Sequence, residues 1–335
     1  MNILFTSAGR RSYIIDYFKA CKDFTKVFAA NSVFTIALKR ADDYILTPLI
    51  YDDNYIPTII DFCKKNNVKV VLSLFDIDLL ILAKHAQLFE NHGIKLILAP
   101  ATFVEKCNDK WKTFEFIKQI GLQTPKTYLH LDEVLGALRK GELTYPIIMK
   151  PRWGMGSLSI YKAINSNELI TFSEKCHREI FDSYLKYESA MTPENAIIYQ
   201  EVMTGDEYGL DILNDLNGRY IKTFAKQKIA MRSGETDLGR TVNFAPFEQL
   251  GQRISQFSGH QGILSVDCFL DKRGIFVTEM NCRISGHYPL AHLAGFNFPQ
   301  LLADWMLGKP TNPNNLRFKE GLIIIKDLKP TILEP

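Results

Sequence analysis

Short apolar runs alternate with amphipathic stretches over the first hundred residues, and this alternation restricts the fold more than any other feature of the chain. The segments are Ile3–Phe5, Tyr13–Cys21, Val27–Ala29, Ile56–Lys65, Val68–Leu74, Leu79–Phe89 and Ile94–Leu98. Strands that alternate with helices predict a parallel sheet with helical crossovers. Ligands bind at the carboxyl ends of such strands, so we expect substrate near Thr6–Arg11 and Phe75–Asp78. No G-x-G-x-x-G motif follows the first strand, which argues against a dinucleotide-binding domain.

Length and charge narrow the class of protein further. At 335 residues the chain is long for one hydrophobic core, so we expect two or three packed subdomains. The 40 basic and 37 acidic residues leave a net charge of +3, and no basic run is dense enough to predict nucleic-acid or membrane binding. The six cysteines are scattered, which predicts reduced thiols. No apolar run approaches the ~20 residues of a membrane span, and Asn2–Arg11 lacks the order of a signal peptide, so we expect a cytoplasmic protein.

Three regions are predicted along the chain. Residues 1–100 form the parallel-sheet domain. A helix then begins with Asn108 or Asp109 as its cap and ends at Gly121. Residues 101–199 comprise this helix and a small region of strands around a glycine-containing loop, and residues 200–335 form a strand-rich C-terminal region.

The segment Ser265–Arg283 is the strongest candidate for a chemical site. Two apolar runs flank Lys272–Gly274, which predicts a β-hairpin with a three-residue loop whose glycine lies in the left-handed region. With a loop of this length Asp271 faces Ile275.

Counting back along the same two strands places Asp267 opposite Glu279. Because side chains alternate with period two, Asn281 and Arg283 lie on the same face as this pair. Like charges placed across a strand pair destabilise it, so the arrangement favours a cation between them. Oxygen ligands of this kind suit Mg²⁺ or Mn²⁺, held with help from substrate phosphates. The alternative is that both acids are solvated residues on an exposed sheet face.

These residues resemble the ATP-grasp superfamily, and within it the single-module proteins similar to the large subunit of carbamoyl phosphate synthase. The resemblance extends from Thr6 to about Pro299 and is most specific at Glu279–Arg283 and Gly286–Gly295. It implies an α/β and α+β fold of three parts: an N-terminal Rossmann-like parallel-sheet domain, a small lid and a C-terminal α+β domain. ATP is then expected between the last two parts.

The resemblance also implies roles for individual residues. The implied ligands of two magnesium (or manganese) ions are Asp267, Glu279 and Asn281. The implied nucleotide-binding residues are Lys110, Lys150, Gly154, Gly156, Ser157, Glu201, Met203, Glu207 and Lys228. The residues implied to stabilise charge on the transferring group are Arg283, Lys150 and Arg232.

The chemistry of the individual residues agrees with several of these roles, but ordinary structural interpretations stay open beside them. A lysine at a strand end reaches a bound phosphate, and the loop Gly154–Ser157 offers backbone N–H groups, although its spacing is not that of a Walker P-loop. Taken alone, a lysine such as Lys150 before a glycine turn is more often an ordinary solvated side chain. In the family, segments similar to Tyr199–Asp211 hold adenine by backbone groups and the ribose by a carboxylate. The alternative interpretation of this segment is a surface turn. The basic stretch Lys226–Arg232 has a charged loop as its alternative.

The implied function is an ATP-dependent carboxylate–amine ligase that forms ADP and phosphate through an acyl phosphate. Phosphoryl transfer needs in-line positioning and neutralised oxygen charge rather than a protein nucleophile. Two alternatives stay open: one subunit of a split synthase similar to carbamoyl phosphate synthase, and a non-catalytic nucleotide-binding protein. We expect small carboxylate and amine substrates, with the acid between Arg283 and the turn Gly9–Arg11. The family implies a homodimer as the assembly.

Overall fold

A computed structural model describes residues 1–154, 156–327 and 329–333, which form three sheets of five, four and six strands. Met155 of the predicted loop, and Leu328, Glu334 and Pro335 of the predicted C-terminal region, lie outside the described residues.

The N-terminal domain is the predicted parallel sheet with helical crossovers, which is confirmed. Its elements are β1 (Asn2–Thr6), α1 (Ser12–Lys19), β2 (Lys26–Asn31), α2 (Ile36–Arg40), β3 (Asp43–Leu46), α3 (Tyr55–Lys65), β4 (Val68–Ser73), α4 (Asp76–Lys84), α5 (Ala86–Asn91) and β5 (Lys95–Leu96). The strands pair in parallel in the order β3-β2-β1-β4-β5. The stretch Leu79–Phe89 spans two helices that meet at His85, and Asp76 and Asp78 lie in the first turn of α4.

Two helices, α6 (Ala101–Asn108) and α7 (Lys110–Gln119), connect this domain to the lid. Asp109 caps α7 as predicted, since its carboxylate accepts from the Trp111 and Lys112 amides at 2.9 and 3.2 Å. The same carboxylate binds the Arg152 guanidinium at 2.8 and 2.7 Å. The cap therefore also ties the start of α7 to the lid.

The lid is a small antiparallel sheet covered by helices. Its elements are β6 (Thr127–Tyr128), α8 (Leu131–Arg139), β7 (Ile147–Pro151), β8 (Tyr161–Ala163), α9 (Ser166–Asp182), α10 (Lys186–Ser189) and β9 (Ile197–Glu201). The strands run in the order β6-β9-β7-β8 over a core of their own. The predicted boundary between the second and third regions, after residue 199, falls inside β9.

The C-terminal region is a six-stranded antiparallel sheet with flanking helices. Its elements are β10 (Asp206–Asn214), β11 (Tyr220–Arg232), β12 (Glu235–Val242), α11 (Ala245–Ser258), β13 (Gly262–Asp271), β14 (Gly274–Asn281), α12 (Tyr288–Leu293), α13 (Phe298–Met306) and β15 (Ile323–Ile325). The strand order is β14-β13-β10-β11-β12-β15. Helices α6 and α7 pack in the same core as this sheet, whereas α12 and α13 pack in the core of the N-terminal domain.

The β13–β14 hairpin has the predicted pairing of Asp267 with Glu279 but a different loop. Asp271 pairs with Gly274 rather than Ile275, so the loop has two residues and the predicted three-residue loop is wrong. A bulge then shifts the register between Asp267 and Cys268, because Thr278 is an extra residue on β14. The shorter loop and the bulge compensate for each other, which restores the predicted pair.

No helix among the described residues is long and apolar enough to cross a membrane. All six cysteines are buried and free in the described structure, in agreement with the expectation of reduced thiols.

Candidate active site

A cavity of about 420 Å³ lies between the lid sheet and the C-terminal sheet. The residues expected at the site that line it are Lys110, Lys150, Gly154, Gly156, Ser157, Glu201, Met203, Glu207, Lys228, Asp267, Glu279, Asn281 and Arg283. The fold thus brings residues separated by more than half of the chain to one space. Arg232 is the expected site residue that does not line it.

The hairpin supplies the acidic wall of the cavity. Asp267 and Glu279 are cross-strand partners, and Asn281 follows on the same face. Burial raises the pKa of Asp267, and Glu279 adds to this effect while Lys228 opposes it. Burial also disfavours charge on Glu279, but Lys110 and Lys150 outweigh burial and lower its pKa.

This wall fits the divalent cations predicted from the sequence. Two carboxylates and an amide oxygen are hard ligands of the kind that Mg²⁺ takes together with phosphate oxygens and water. Among the described residues no group of three or more His, Cys, Asp or Glu side chains is placed to hold a metal ion. A cation at the hairpin therefore needs oxygens from a bound phosphate as well as from Asp267, Glu279 and Asn281.

Two buried lysines face the acidic wall. Lys150 is the last residue but one of β7, is 8% exposed and lines the cavity. Burial, opposed by Glu279 and assisted by Lys110, lowers the pKa of Lys150 to about 8. Lys110 donates to the Gly154 carbonyl, and its Nζ lies 3.5 Å from Glu279 Oε1. Both amines are positioned to neutralise an anion that enters the cavity.

The lid loop closes on the turn between β11 and β12. A Cβ at Gly234, whose φ is +76°, would lie 2.8 Å from the carbonyl carbon of Gly156. Only a glycine at position 234 leaves room for the loop backbone at this distance. The backbones of the lid loop and of this turn therefore lie in close contact, and both line the cavity.

Lys228 bridges two acids at the sheet side of the cavity. Its Nζ lies 2.8 Å from Glu207 Oε1 and 2.8 Å from Asp267 Oδ1. Burial disfavours the charge, but the two carboxylates outweigh burial and raise the pKa of Lys228. Lys228 therefore neutralises Asp267 in the structure described here, and a cation bound at Asp267 would compete with it.

The adenine-binding hinge implied by the resemblance is partly engaged by protein contacts. The Glu201 amide donates to the Lys126 carbonyl at 2.9 Å, and the Glu201 carboxylate pairs with Arg273. Met203 lines the cavity, and Arg273 Nη2 lies 3.6 Å from its sulfur. A nucleotide contact through the Glu201 N–H is therefore not available in this arrangement.

Arg283 connects the acidic wall to the N-terminal domain. Its Nε and Nη2 donate to Asp76 Oδ2 at 3.0 and 2.7 Å, and Nη2 lies 3.4 Å from the Asn281 amide oxygen. The sequence analysis expected substrate near Phe75–Asp78 but did not predict a contact between Asp76 and Arg283. The pair joins residues 207 positions apart, and no local pattern predicts such a contact.

A second cross-domain cluster, formed by Arg11, Glu235 and Lys326, lies beside Ile284, the residue after Arg283. Arg11 donates to Glu235 at 3.1 Å and to the carbonyls of Leu74 and Ile284, and Lys326 reaches Glu235 at 2.9 Å. Burial raises the pKa of Glu235, but Arg11 and Lys326 outweigh it and lower the pKa to about 2. Sequence reasoning missed Glu235 and Lys326 because their partners come from three distant segments.

His287 lies in the cavity wall next to Asp267. Its Nε2 lies 2.9 Å from Ser265 Oγ and 3.7 Å from Asp267 Oδ1. Burial lowers its pKa well below the ordinary histidine value, so the ring is neutral. A Cβ at Gly209 would lie 2.5 Å from this ring, and Gly209 is therefore the neighbour that makes room for it.

Lys228 is the basic residue of the β11 stretch Lys226–Arg232 that lines the cavity. Lys226 is fully buried and pairs with Asp211, so it is not at the site. Beyond Lys228 the register shifts twice, which rotates the strand so that Met231 rather than Arg232 lines the cavity. Arg232 pairs instead with Asp237. The expectation that Arg232 reaches the reacting group came from the family resemblance alone.

Comparisons with known proteins agree with this architecture. A PylC-like N-terminal domain model matches residues 3–97, and an ATP-grasp domain model matches residues 107–287, more than half of the chain. The protein belongs to the ATP-grasp family.

Among characterised proteins, the chain is similar to the carbamoyl phosphate synthase large chain of Pyrococcus furiosus. The identity is 24% over 234 residues, which are 66% of this chain and 20% of that protein. The chain therefore spans about a fifth of the length of this relative.

Solved structures share the fold. A biotin carboxylase–β,γ-ATP complex from Campylobacter jejuni is similar with a TM-score of 0.72 and 14% identity, over 96% of this chain and 74% of that chain. The L-amino acid ligase of Bacillus licheniformis is similar with a TM-score of 0.68 and 20% identity, over 90% and 74% of the two chains.

Proposed function

We propose that the protein is an ATP-dependent carboxylate–amine ligase that works through an acyl phosphate and forms ADP and phosphate. The observation that carries the proposal is the cavity in which the Asp267–Glu279 pair faces Lys110, Lys150 and Arg283. Acids and bases in this arrangement suit a triphosphate with its metal ions. The fold shared with an L-amino acid ligase adds support.

The proposed roles follow from position. Asp267, Glu279 and Asn281 hold magnesium, which when bound neutralises charge on the phosphate oxygens. Lys110 at the start of α7 and Lys150 of the lid bind the phosphates. Because both lysines are buried, their charges act in a medium that screens them little, and they need no reorganisation during transfer.

Arg283 and Arg11 are the proposed contacts of the acid. Both line the cavity, and a guanidinium can bind a carboxylate through two parallel hydrogen bonds. Arg10 is exposed and does not line the cavity, so the acid is placed on the Arg11 side of the Gly9–Arg11 turn. Arg283→Lys should spare ATP binding and lower coupled turnover, because lysine keeps the charge and loses the planar match.

Release of ADP that requires both an added acid and an added amine is the direct test of ligase activity. Amino acids and small acids are screened in pairs with MgATP. Release that depends on both substrates supports the proposal. Release only after addition of a second protein chain would favour the split-synthase alternative, and ATP binding without release under any condition would favour the non-catalytic one.

The acyl phosphate has a test of its own that needs no amine. ATP labelled with ¹⁸O in the β,γ-bridge scrambles the label into the β-nonbridge positions if the γ-phosphoryl group is transferred reversibly to the acid. We expect scrambling that depends on the acid. Ligase turnover with no scrambling, under conditions where ADP stays bound, would contradict an acyl phosphate formed before the amine reacts.

A further inference from the structure

Arg11, the first of the two arginines that line the cavity, is held by three acceptors of the protein. Its Nε donates to Glu235 Oε1 at 3.1 Å, and its Nη1 donates to the carbonyls of Leu74 and Ile284 at 2.9 and 3.1 Å. The remaining nitrogen, Nη2, has no hydrogen-bond partner among the described residues. One terminal nitrogen of Arg11 is therefore left for a ligand.

Arg283 shows the same pattern with a different acid. Its Nε and Nη2 donate to Asp76 Oδ2 at 3.0 and 2.7 Å, and Nη2 also lies 3.4 Å from Asn281 Oδ1. In the part of the chain that the structure describes, Nη1 has no partner. In both arginines a carboxylate thus occupies the Nε side, and one terminal nitrogen is left over.

The two remaining nitrogens are accessible to a ligand. The side chains of Arg11 and Arg283 are 18% and 10% exposed, and both line the cavity. Neither nitrogen belongs to the fully buried polar atoms that lack a partner in the described residues, so each keeps accessible surface. An arginine whose other nitrogens are already fixed loses little side-chain freedom when it binds a ligand.

The charges around the two arginines favour an anion. The cluster contains three cations and two acids, which are Arg11, Arg283, Lys326, Asp76 and Glu235. Burial raises the pKa of Glu235, but Arg11 and Lys326 outweigh burial and lower the pKa to about 2, so this carboxylate is charged in neutral solution. One positive charge is left over, which one carboxylate of a substrate would neutralise.

The acid that fixes each arginine comes from the other side of the domain boundary. Arg11 of the N-terminal domain is fixed by Glu235 of β12, and Arg283 of the C-terminal region is fixed by Asp76 of α4. The two guanidinium groups are therefore oriented only when the two domains are packed together.

We propose that Asp76 and Glu235 are positioning residues for the acid substrate. Each fixes one arginine, so that Nη1 of Arg283 and Nη2 of Arg11 donate to the acid. The inference rests on the proposed ligase function and deepens it, because it adds two residues that act on the acid through the arginines.

Propionate binding, measured by ligand-observed NMR in the presence of Mg²⁺ and a non-hydrolysable ATP analogue, tests the proposal. Propionate should bind the parent protein, and propionamide, its neutral counterpart, should bind much more weakly. Asp76→Asn should weaken propionate about tenfold, because Arg283 loses its carboxylate. Glu235→Gln should weaken it about threefold, since two carbonyls still hold Arg11. Asp61→Asn and Glu248→Gln, two exposed acids, are the matched controls.

The Nε–H signals of the arginines separate a positioning role from a merely structural one. They are recorded in ¹H–¹⁵N spectra of protein labelled with ¹⁵N-arginine and are assigned with Arg11→Lys and Arg283→Lys. Asp76→Asn should shift the signal of Arg283 and leave that of Arg11 in place, and Glu235→Gln should do the reverse. Affinity for the ATP analogue should stay within about twofold of the parent in both variants.

Equal binding of propionate to the parent, Asp76→Asn and Glu235→Gln overturns the assignment, and so does a parent protein that does not bind propionate. Weaker binding with both arginine signals unchanged also overturns it, because the acids would then act by another route. If Asp76→Asn does not fold, Glu235→Gln and the Arg11 signal still decide.

Failure of this inference and failure of the ligase proposal are distinguishable. Propionate binding that depends on Asp76 and Glu235, together with no ADP release for any pair of acid and amine, leaves the positioning roles and removes the ligase. ADP release whose KM for the acid is the same in the parent and in both variants leaves the ligase and removes the positioning roles.

Discussion

Asp78 in the N-terminal domain and Asp267 in the C-terminal sheet are both acids with little or no exposure to water. Asp78 is hydrogen-bonded by hydroxyl groups, whereas Asp267 is paired with a lysine. Asp267 lines the cavity and is neutralised by the amine of Lys228 at 2.8 Å. Asp78 is fully buried, and burial raises its pKa although four hydroxyl groups donate to it. These donors are Thr6 at 2.5 Å, Tyr55 at 2.7 Å, Ser73 at 2.7 Å and Ser7 at 3.0 Å.

The difference separates an acid whose partners are structural from one for which we propose a functional role. A carboxylate that accepts hydrogen bonds from four fixed hydroxyl groups has no acceptor position left for a ligand. In Asp78 these bonds join β1, β4 and α3. A carboxylate paired with a lysine at a cavity can exchange that lysine for another cation. The two acids should therefore respond to substitution in opposite ways, one through stability and the other through activity.

The largest effect is expected for Glu279→Gln, which retains side-chain volume and removes an ionised oxygen ligand. We expect acid-dependent ADP release to fall by about two to three orders of magnitude, with the unfolding midpoint nearly unchanged. Steady-state ADP assays and thermal unfolding measure the two quantities. Glu248→Gln, on the exposed face of α11, is the control, and parent-like turnover of Glu279→Gln at saturating Mg²⁺ would remove the acid pair from the mechanism.

Asp78→Ala should have the converse effect. It leaves the buried hydroxyl groups of Thr6, Tyr55 and Ser73 and the half-buried one of Ser7 without this acceptor, so the free energy of unfolding should fall by roughly 2 to 4 kcal/mol. The affinity of the folded fraction for an ATP analogue should stay the same. Denaturant unfolding and calorimetric titration measure these quantities, and a variant of parent stability that no longer binds nucleotide would reverse the distinction drawn between the two acids.

The pH dependence of nucleotide affinity tests the role proposed for Lys150 at the cavity. Because burial lowers its pKa to about 8, its charge is present below that pH and is lost as the pH rises through it. Affinity for an ATP analogue should therefore weaken above pH 8 in the parent. Lys150→Met should bind about tenfold more weakly below pH 8 and lose this pH dependence. Lys162→Met, an exposed lysine on β8, is the control and should follow the parent curve.

The smallest effect is expected for Glu235→Gln, which breaks the contacts with Arg11 and Lys326. The folded pKa of Glu235, about 2, lies below its ordinary value of 4.5, so its contribution to stability is present above pH 4.5 and is lost as the pH falls toward 2. We expect a loss of roughly 0.5 to 1 kcal/mol above pH 4.5 that shrinks on acidification. Thermal unfolding at several pH values measures it, and a difference between parent and variant that grows on acidification would contradict the assignment.

Much of this fold and part of the candidate site can be predicted from the sequence. Period-two alternation around the hairpin predicts the Asp267–Glu279 pair, and alternating strands and helices predict the N-terminal sheet. The bulge at Thr278 breaks that period without a local signal, and the predicted hairpin loop was therefore one residue too long. The register shifts beyond Lys228 likewise have no local signal, and they turn Arg232 away from the cavity. The contacts of Arg283 with Asp76 and of Glu235 with Lys326 form only when distant segments pack, so no spacing rule reveals them.

The central claim is that the acidic face of the hairpin holds the metal ions of a bound nucleotide. A crystal structure of the parent protein with Mn²⁺ and a non-hydrolysable ATP analogue, measured at the manganese absorption edge, tests it most directly. We predict anomalous peaks within coordination distance of Glu279 and Asn281 and of Asp267, with Lys228 moved from Asp267 and the phosphates against Lys110 and Lys150. Nucleotide bound in the cavity with manganese coordinated away from all three hairpin residues would contradict the account.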